Sequence, residues 1–156
     1  MTSGNRSQKE DLEYPWPWER LRRTYISMKV ECAHVMVDFG LLYTEYRALN
    51  VCRMGPVTPG FLAQDLGCTP AAVSGIVARL RHRGWVKTRP HPRDRRAIWV
   101  ELTPKGRGLE RRARRTWIAR MQELSEDLER PELEQLSAGL GGLERVIAAR
   151  KPPRRP

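Results

Sequence analysis

The sequence predicts a mainly α-helical domain carrying one small β-hairpin, an α+β arrangement, and three observations carry that expectation. Apolar residues recur at steps of three and four along most of the chain. Three segments open on Thr-Pro, a capping residue followed by one suited to the first helical turn. Only residues 85–103 read as strands about a proline-braced tip.

Taken in order, residues 1–15 read as a polar tail. A first helix is predicted over 17–39, where Leu21, Tyr25, Met28, Cys32, Val35 and Phe39 trace one stripe and Gly40 ends it. A second is expected from Thr44 to Arg53, with Tyr46, Leu49 and Val51 inward and Met54-Gly55-Pro56 as the stop. Thr58 and Pro59 start a short helix that Gly67 closes after Leu66. Thr69 and Pro70 start a longer one reaching Arg83, with Val73, Ile76, Val77 and Leu80 inward. Its outward face is then Ala71, Ala72, Ser74, Gly75, Ala78 and Arg79, small residues that suit close approach to another surface. Two helices about a short glycine-containing turn are a helix-turn-helix signature.

WVKTR (85–89) and RAIWVELT (96–103) follow as strands around PHPRD, with Ile98, Val100 and Leu102 on the core face. That hairpin makes the unit a winged helix-turn-helix. After Thr103-Pro104 a long helix carries Leu109, Ala113, Trp117, Met121, Leu124 and Leu128 until Pro131. A last helix shows Leu133, Leu136, Leu140, Leu143 and Ile147 before the basic tail 151–156. The expected organisation is an N-terminal helix (16–40), the winged unit (41–107) and C-terminal helices (108–150). The terminal helices carry more apolar stripe than the winged unit needs, which predicts symmetric pairing of two chains.

The formal charge is +11, from 29 basic and 18 acidic residues. Residues 69–117 hold 14 of the former and 3 of the latter, so the whole excess sits in that third of the chain. A concentrated basic zone is an electrostatic footprint for a polyanion. No apolar run approaches the ~20 residues of a membrane span, and the amino terminus lacks the apolar core of a secretory signal. Three cysteines without framework spacing fit a reducing cytoplasm. No metal or cofactor is expected, since the three histidines stand apart from the thiols. With no Gly-rich phosphate loop, paired apolar carboxylates or nucleophile with a base, an enzyme is not expected either.

YTEYRAL, LAQDLGCTPAAVSGIVARLRHRGWV and DRRAIWVELTPKG, in this order and spacing, resemble the MarR family of bacterial transcription regulators over residues 16–149. The resemblance implies a homodimer with interlocked terminal helices, bound to a palindromic operator in double-stranded DNA. It also implies repression of neighbouring genes, relieved by a small, often phenolic, ligand or by cysteine oxidation. Cys32, on the apolar stripe, reads as an inert thiol.

The helix over 69–83 would enter the major groove. The resemblance assigns contacts there to Thr69, Ala71, Ala72, Ser74 and Gly75, with Arg79 near the backbone. Ala71, Ala72 and Gly75 stand where relatives often carry longer polar side chains. Alanine can touch a thymine methyl but makes no bidentate contact to guanine. More specificity would then rest on the wing (85–103) and on DNA shape. For the minor groove the resemblance nominates Arg96, held by a salt bridge from Asp94. Strand parity instead puts Asp94 and Arg96 on the core side and turns Arg93 and Arg95 toward DNA, so all four remain candidates. Lys87, Arg89, Lys105 and Arg107 suit phosphates. A small aromatic effector would draw on Tyr25, His34, Asp38, Tyr46, Arg47 or Trp117. The rival reading is a sequence-tolerant architectural DNA-binding protein.

Overall fold

The computed structural model of the chain describes residues 16–94 and 96–150. The expected tails, 1–15 and 151–156, and the candidate Arg95 lie outside the described residues. Six helices and one hairpin follow in the order α1 (Trp16–Val37), α2 (Tyr43–Cys52), α3 (Pro59–Leu66), α4 (Pro70–His82), β1 (Val86–Pro90), β2 (Ile98–Leu102), α5 (Pro104–Glu126) and α6 (Arg130–Ala149). The chain divides into two units after Thr116, inside α5.

In the first unit the three Thr-Pro starts work as caps. Thr58 Oγ1 accepts the Phe61 N–H at 3.2 Å, Thr69 Oγ1 the Ala72 N–H at 3.2 Å, and Thr103 Oγ1 the Gly106 N–H at 3.0 Å. Gly67 closes α3 with a left-handed φ of 63°, which turns the chain directly into the cap of α4. All four expected inward residues of α4 are buried, and they share a core with Met36, Leu49, Leu62, Val86, Val100 and Leu102.

The first helix departs from its stripe. Of the six residues expected inward only Cys32 is buried, while Leu21, Tyr25 and Met28 are exposed and Met36 is fully buried instead. α1 packs on α2, so only its last turns are covered and its earlier turns keep their apolar side chains outside. In α2, Tyr46 and Leu49 are buried as expected, but Val51 is half-buried and Ala48, Cys52 and the carboxylate Glu45 take the inward positions.

β1 and β2 pair antiparallel with Val86 opposite Leu102, Thr88 opposite Val100 and Pro90 opposite Ile98. The second strand begins at Ile98 rather than residue 96, and Ile98 is 41% exposed, so its core face is Val100 and Leu102 alone. The far end of the hairpin has left the core behind it. A feature without sequence signal steadies the near end: Val57 N–H donates to the Val100 carbonyl at 3.0 Å and Val100 N–H to the Val57 carbonyl at 2.8 Å. The segment before α3 thus grips the edge of β2.

The start of α5 is locked to the start of the hairpin. Thr103 donates its hydroxyl to the Gly84 carbonyl at 2.7 Å and its N–H to the Trp85 carbonyl at 3.0 Å. Gly106 lies against that Trp85 carbonyl, so close that a side-chain carbon there would stand 2.8 Å from the carbonyl carbon. One turn on, buried Glu110 accepts from Asn50 Nδ2 at 3.4 Å and faces Arg114 Nε at 3.2 Å and Arg53 Nε at 3.8 Å.

In the second unit, Glu132 Oε2 accepts the Glu129 N–H at 2.9 Å and closes the start of α6. No α6 residue is buried there, and Leu136, Leu140, Val146 and Ile147 are exposed. Among the described residues no single helix is long and apolar enough to cross a membrane.

Candidate nucleic-acid interface

The outward surface of α4 follows from its inward one. With Val73, Ile76, Val77 and Leu80 committed to the core, Ala71, Ala72, Ser74 and Ala78 are exposed and Gly75 half-buried. Thr69, at the head of this surface, spends its oxygen on capping. Nothing on the face from 69 to 78 projects far.

Charge around it is distributed unevenly. Of the three acids between residues 69 and 117, Glu110 is buried and faces inward. Glu101 sits between Lys87 Nζ at 3.2 Å and Arg89 Nε at 3.4 Å on the hairpin. The Lys87 hydrogen bond above all holds its carboxyl below the usual range. Asp94 is occupied by the backbone. By contrast Arg81, Arg93, Arg96, Arg107, Arg111, Arg112 and Arg115 are all exposed. The freely exposed charges of this stretch are therefore mostly cations.

The wing tip is built by two local bonds. Asp94 Oδ1 accepts the Arg96 backbone N–H at 2.9 Å, an Asx-type turn. It makes no ion pair with the Arg96 guanidinium among the described residues, so the salt bridge expected from the resemblance is replaced by a backbone cap. Parity fares no better, because residues 94 and 96 precede β2 and strand alternation does not reach them. His91 Nδ1 accepts the Arg93 N–H at 3.1 Å while its ring stacks 4.5 Å from Trp99. The described arginines of the tip, Arg93 and Arg96, carry no ion pair among the described residues. At the base of the hairpin Arg83 lies 4.9 Å over the Trp85 ring and donates to the Gly40 carbonyl at 2.6 Å.

Arg79 is exposed at the surface, as a DNA-contacting arginine must be, but it is also tethered from within. Its Nε donates to the buried Glu45 Oε1 at 2.9 Å. Glu45 was legible only as a first-turn acid of α2; its partner, 34 residues on, was not.

Five of the six candidate effector residues belong to the first unit, in differing surroundings. Tyr46 is buried, Arg47 pairs with Asp65 at 3.0 Å, and His34 and Asp38 are exposed. Trp117 belongs to the second unit. Tyr25 and Tyr43 do share a neighbour: Lys29 Nζ stands 5.5 Å from the Tyr25 ring and 5.6 Å from the Tyr43 ring. None of the six lines the open cleft of about 370 Å³ between the end of α2 and α3, bounded by Asn50, Met54, Pro56, Phe61 and Asp65. Burial pushes the Cys32 thiol up to about 11 and that of Cys52 up to about 12, consistent with inert thiols. Among the described residues no group of three His, Cys, Asp or Glu is placed to hold a metal.

Comparison with known proteins agrees with this geometry. The sequence profile of the MarR family matches residues 39–97, from the end of α1 to the wing tip. An uncharacterised helix-turn-helix-type transcriptional regulator of Mycobacterium leprae is 35% identical over 82 residues, 50% of this chain and 57% of that protein. The chain thus spans about half the length of the curated relatives it matches. A transcriptional regulator from Thermotoga maritima is 30% identical over 85% of this chain and 95% of its own, with a TM-score of 0.60. NadR, solved in complex with 4-hydroxyphenylacetate, shares the fold at a TM-score of 0.67 and 19% identity, covering 79% of this chain and 88% of its own. With its family profile, its 30% identity to a solved regulator over 95% of that protein and its hairpin-tipped helix-turn-helix, the chain belongs to the MarR family of transcription regulators, a family of regulators rather than enzymes.

Proposed function

We propose that the protein is a dimeric, sequence-specific DNA-binding repressor acting in the cytoplasm, with α4 in the major groove and the hairpin tip at the minor groove of a palindromic operator. The observation that carries this reading is the one-sided charge. Between residues 69 and 117 the acids are buried, paired or capping, whereas arginines of α4, the hairpin tip and the head of α5 are exposed and the outward face of α4 carries small residues. Such a face allows close approach, and the arginines supply counterion release. Thr69, Ala71, Ala72, Ser74 and Gly75 line the approach. Arg93, Arg95 and Arg96 are the groove candidates, Asp94 shapes the turn, and Lys87 and Arg89 face phosphate.

Dimerisation is supported by the exposed apolar residues of α1 (Trp18, Tyr25, Ile26, Met28, Val30) and, separately, of α6 (Leu136, Leu140, Ile147). Sedimentation across a concentration series tests it. Relief of repression by a small aromatic acid is supported by Tyr25 and Tyr43 sharing Lys29, beside Arg47, which suits a phenol bearing a carboxylate. The structure of NadR holds such a molecule. Titrating 4-hydroxyphenylacetate into the DNA complex tests this, with release as the expected result.

If a dimer neutralises ~8 phosphates, log K against log salt has a slope of about −7. A slope near zero refutes the reading. The small face of α4 favours one alternative, an architectural binder. Competition by unrelated duplex separates the two, since a regulator prefers its site by ~10³-fold or more.

A further inference from the structure

On the reading that α4 addresses DNA, we infer that Glu45 is a positioning residue that aims Arg79 across the recognition face, and that Arg79 is the long side chain by which this otherwise short face engages the duplex.

Glu45 lies in the first turn of α2 and is 1% exposed. A buried carboxylate is costly unless its oxygens are met. One oxygen accepts the Leu42 N–H at 3.1 Å, closing the start of α2. The other accepts Nε–H of Arg79 from α4 at 2.9 Å, although the Arg79 side chain is itself 50% exposed. The guanidinium therefore has a buried inner edge and an outer edge in solvent. Of its five N–H donors one is used, and the four on Nη1 and Nη2 have no partner among the described residues.

That outer edge lies beside Gly75. Arg79 Nη1 lies 3.6 Å from where a side-chain carbon on Gly75 would stand. Residues 71, 75 and 79 succeed one another at four-residue steps and so share one stripe of the helix. The fork thus lies over the surface that Ala71 and Gly75 leave low. The absence of a side chain at Gly75 has a second use beyond close approach: a longer one would contest this surface with the guanidinium. An arginine pinned by its inner nitrogen has lost much of its rotamer freedom before DNA arrives, and it keeps the paired donors that suit phosphate or a guanine edge.

Two probes test this: duplexes that the wild type selects from a random-sequence pool, and poly(dI-dC). R79K keeps the charge but not the fork. It is expected to lose ~10-fold or more in affinity for the selected duplex, with little change on poly(dI-dC) and an unchanged salt slope. E45A is expected to lose a similar factor, and the E45A/R79K pair no more than the larger single loss. E45Q keeps an acceptor for Nε and is expected to recover most of the affinity. A role in folding alone would lower the melting temperature and weaken both probes together. Binding is therefore compared at temperatures where every variant is folded, and R79K decides by itself if E45A does not fold. Wild-type affinity and preference in folded R79K, or additive losses in the pair, overturn the inference while leaving the proposed function standing. Absence of salt-dependent duplex binding by the wild type overturns both.

Discussion

Two glycines on one turn of α5 should respond to alanine with opposite signs. Gly106→Ala gains helix propensity worth about 1 kcal/mol. Against this, the new methyl carbon would stand 2.8 Å from the Trp85 carbonyl carbon, 3.2 Å from its Cα and closer still to its oxygen. Overpacking a core with side chains that can give way costs about 1–3 kcal/mol. Here the obstacle is backbone, held by the Thr103 N–H at 3.0 Å and the Thr103 hydroxyl at 3.3 Å. Moving it sacrifices at least one of those bonds, worth about 1 kcal/mol. The net expectation is a loss of about 1–3 kcal/mol, or ~2–12 °C in Tm for a chain of this size. Gly108→Ala meets nothing nearer than Arg112 Nη1 at 3.8 Å and is expected to stabilise by about 0.5–1 kcal/mol. Urea unfolding followed by circular dichroism, at one protein concentration so that association does not intrude, measures both. A Gly106→Ala protein no less stable than the Gly108→Ala protein would refute the packing of α5 on the hairpin.

Other expectations follow from local chemistry. Thr69→Ala removes the acceptor of the Ala72 N–H and should cost about 1 kcal/mol in denaturant unfolding. In the native protein a thiol reagent should modify half-buried Cys68 first and reach Cys32 and Cys52 only on unfolding; rapid labelling of all three would contradict the packing. Alkali should destabilise the fold. Burial raises Cys32 from 9.0 to about 11, Cys52 from 9.0 to about 12 and Tyr46 from 10.0 to about 12, so the folded state holds these protons more tightly than the unfolded chain. That stabilisation is complete below about pH 9 and disappears as pH rises through 11 to 12, a fall that Cys52→Ala should flatten. Asp94→Ala, which frees the Arg96 amide, should weaken DNA binding several-fold while changing stability by less than about 0.5 kcal/mol.

Much of this architecture was legible in the residues. The three Thr-Pro starts and Gly67 placed α3, α4 and the head of α5, because caps are decided within a few residues. The inward face of α4 followed from its period, and its low outward face followed from what remained. Whatever depended on an element's surroundings was not legible. Periodicity gave α1 one continuous apolar stripe, but only the end that meets α2 is covered. Alternation carried β2 back to residue 96, but the strand starts at Ile98, where the hairpin has already left the core.

The chemistry of the wing and of α4 divides in the same way. By itself the sequence determined that cations concentrate between residues 69 and 117 and that small residues face outward there, since both depend on composition and a local period. Tertiary structure alone decided that Asp94 caps the Arg96 amide, that Val57 grips β2, and that Glu45 reaches across 34 residues to hold Arg79. A carboxylate in a first helical turn looks the same in sequence whether it meets water or an arginine from another helix. Only the packing that excludes water from Glu45 makes that partner necessary.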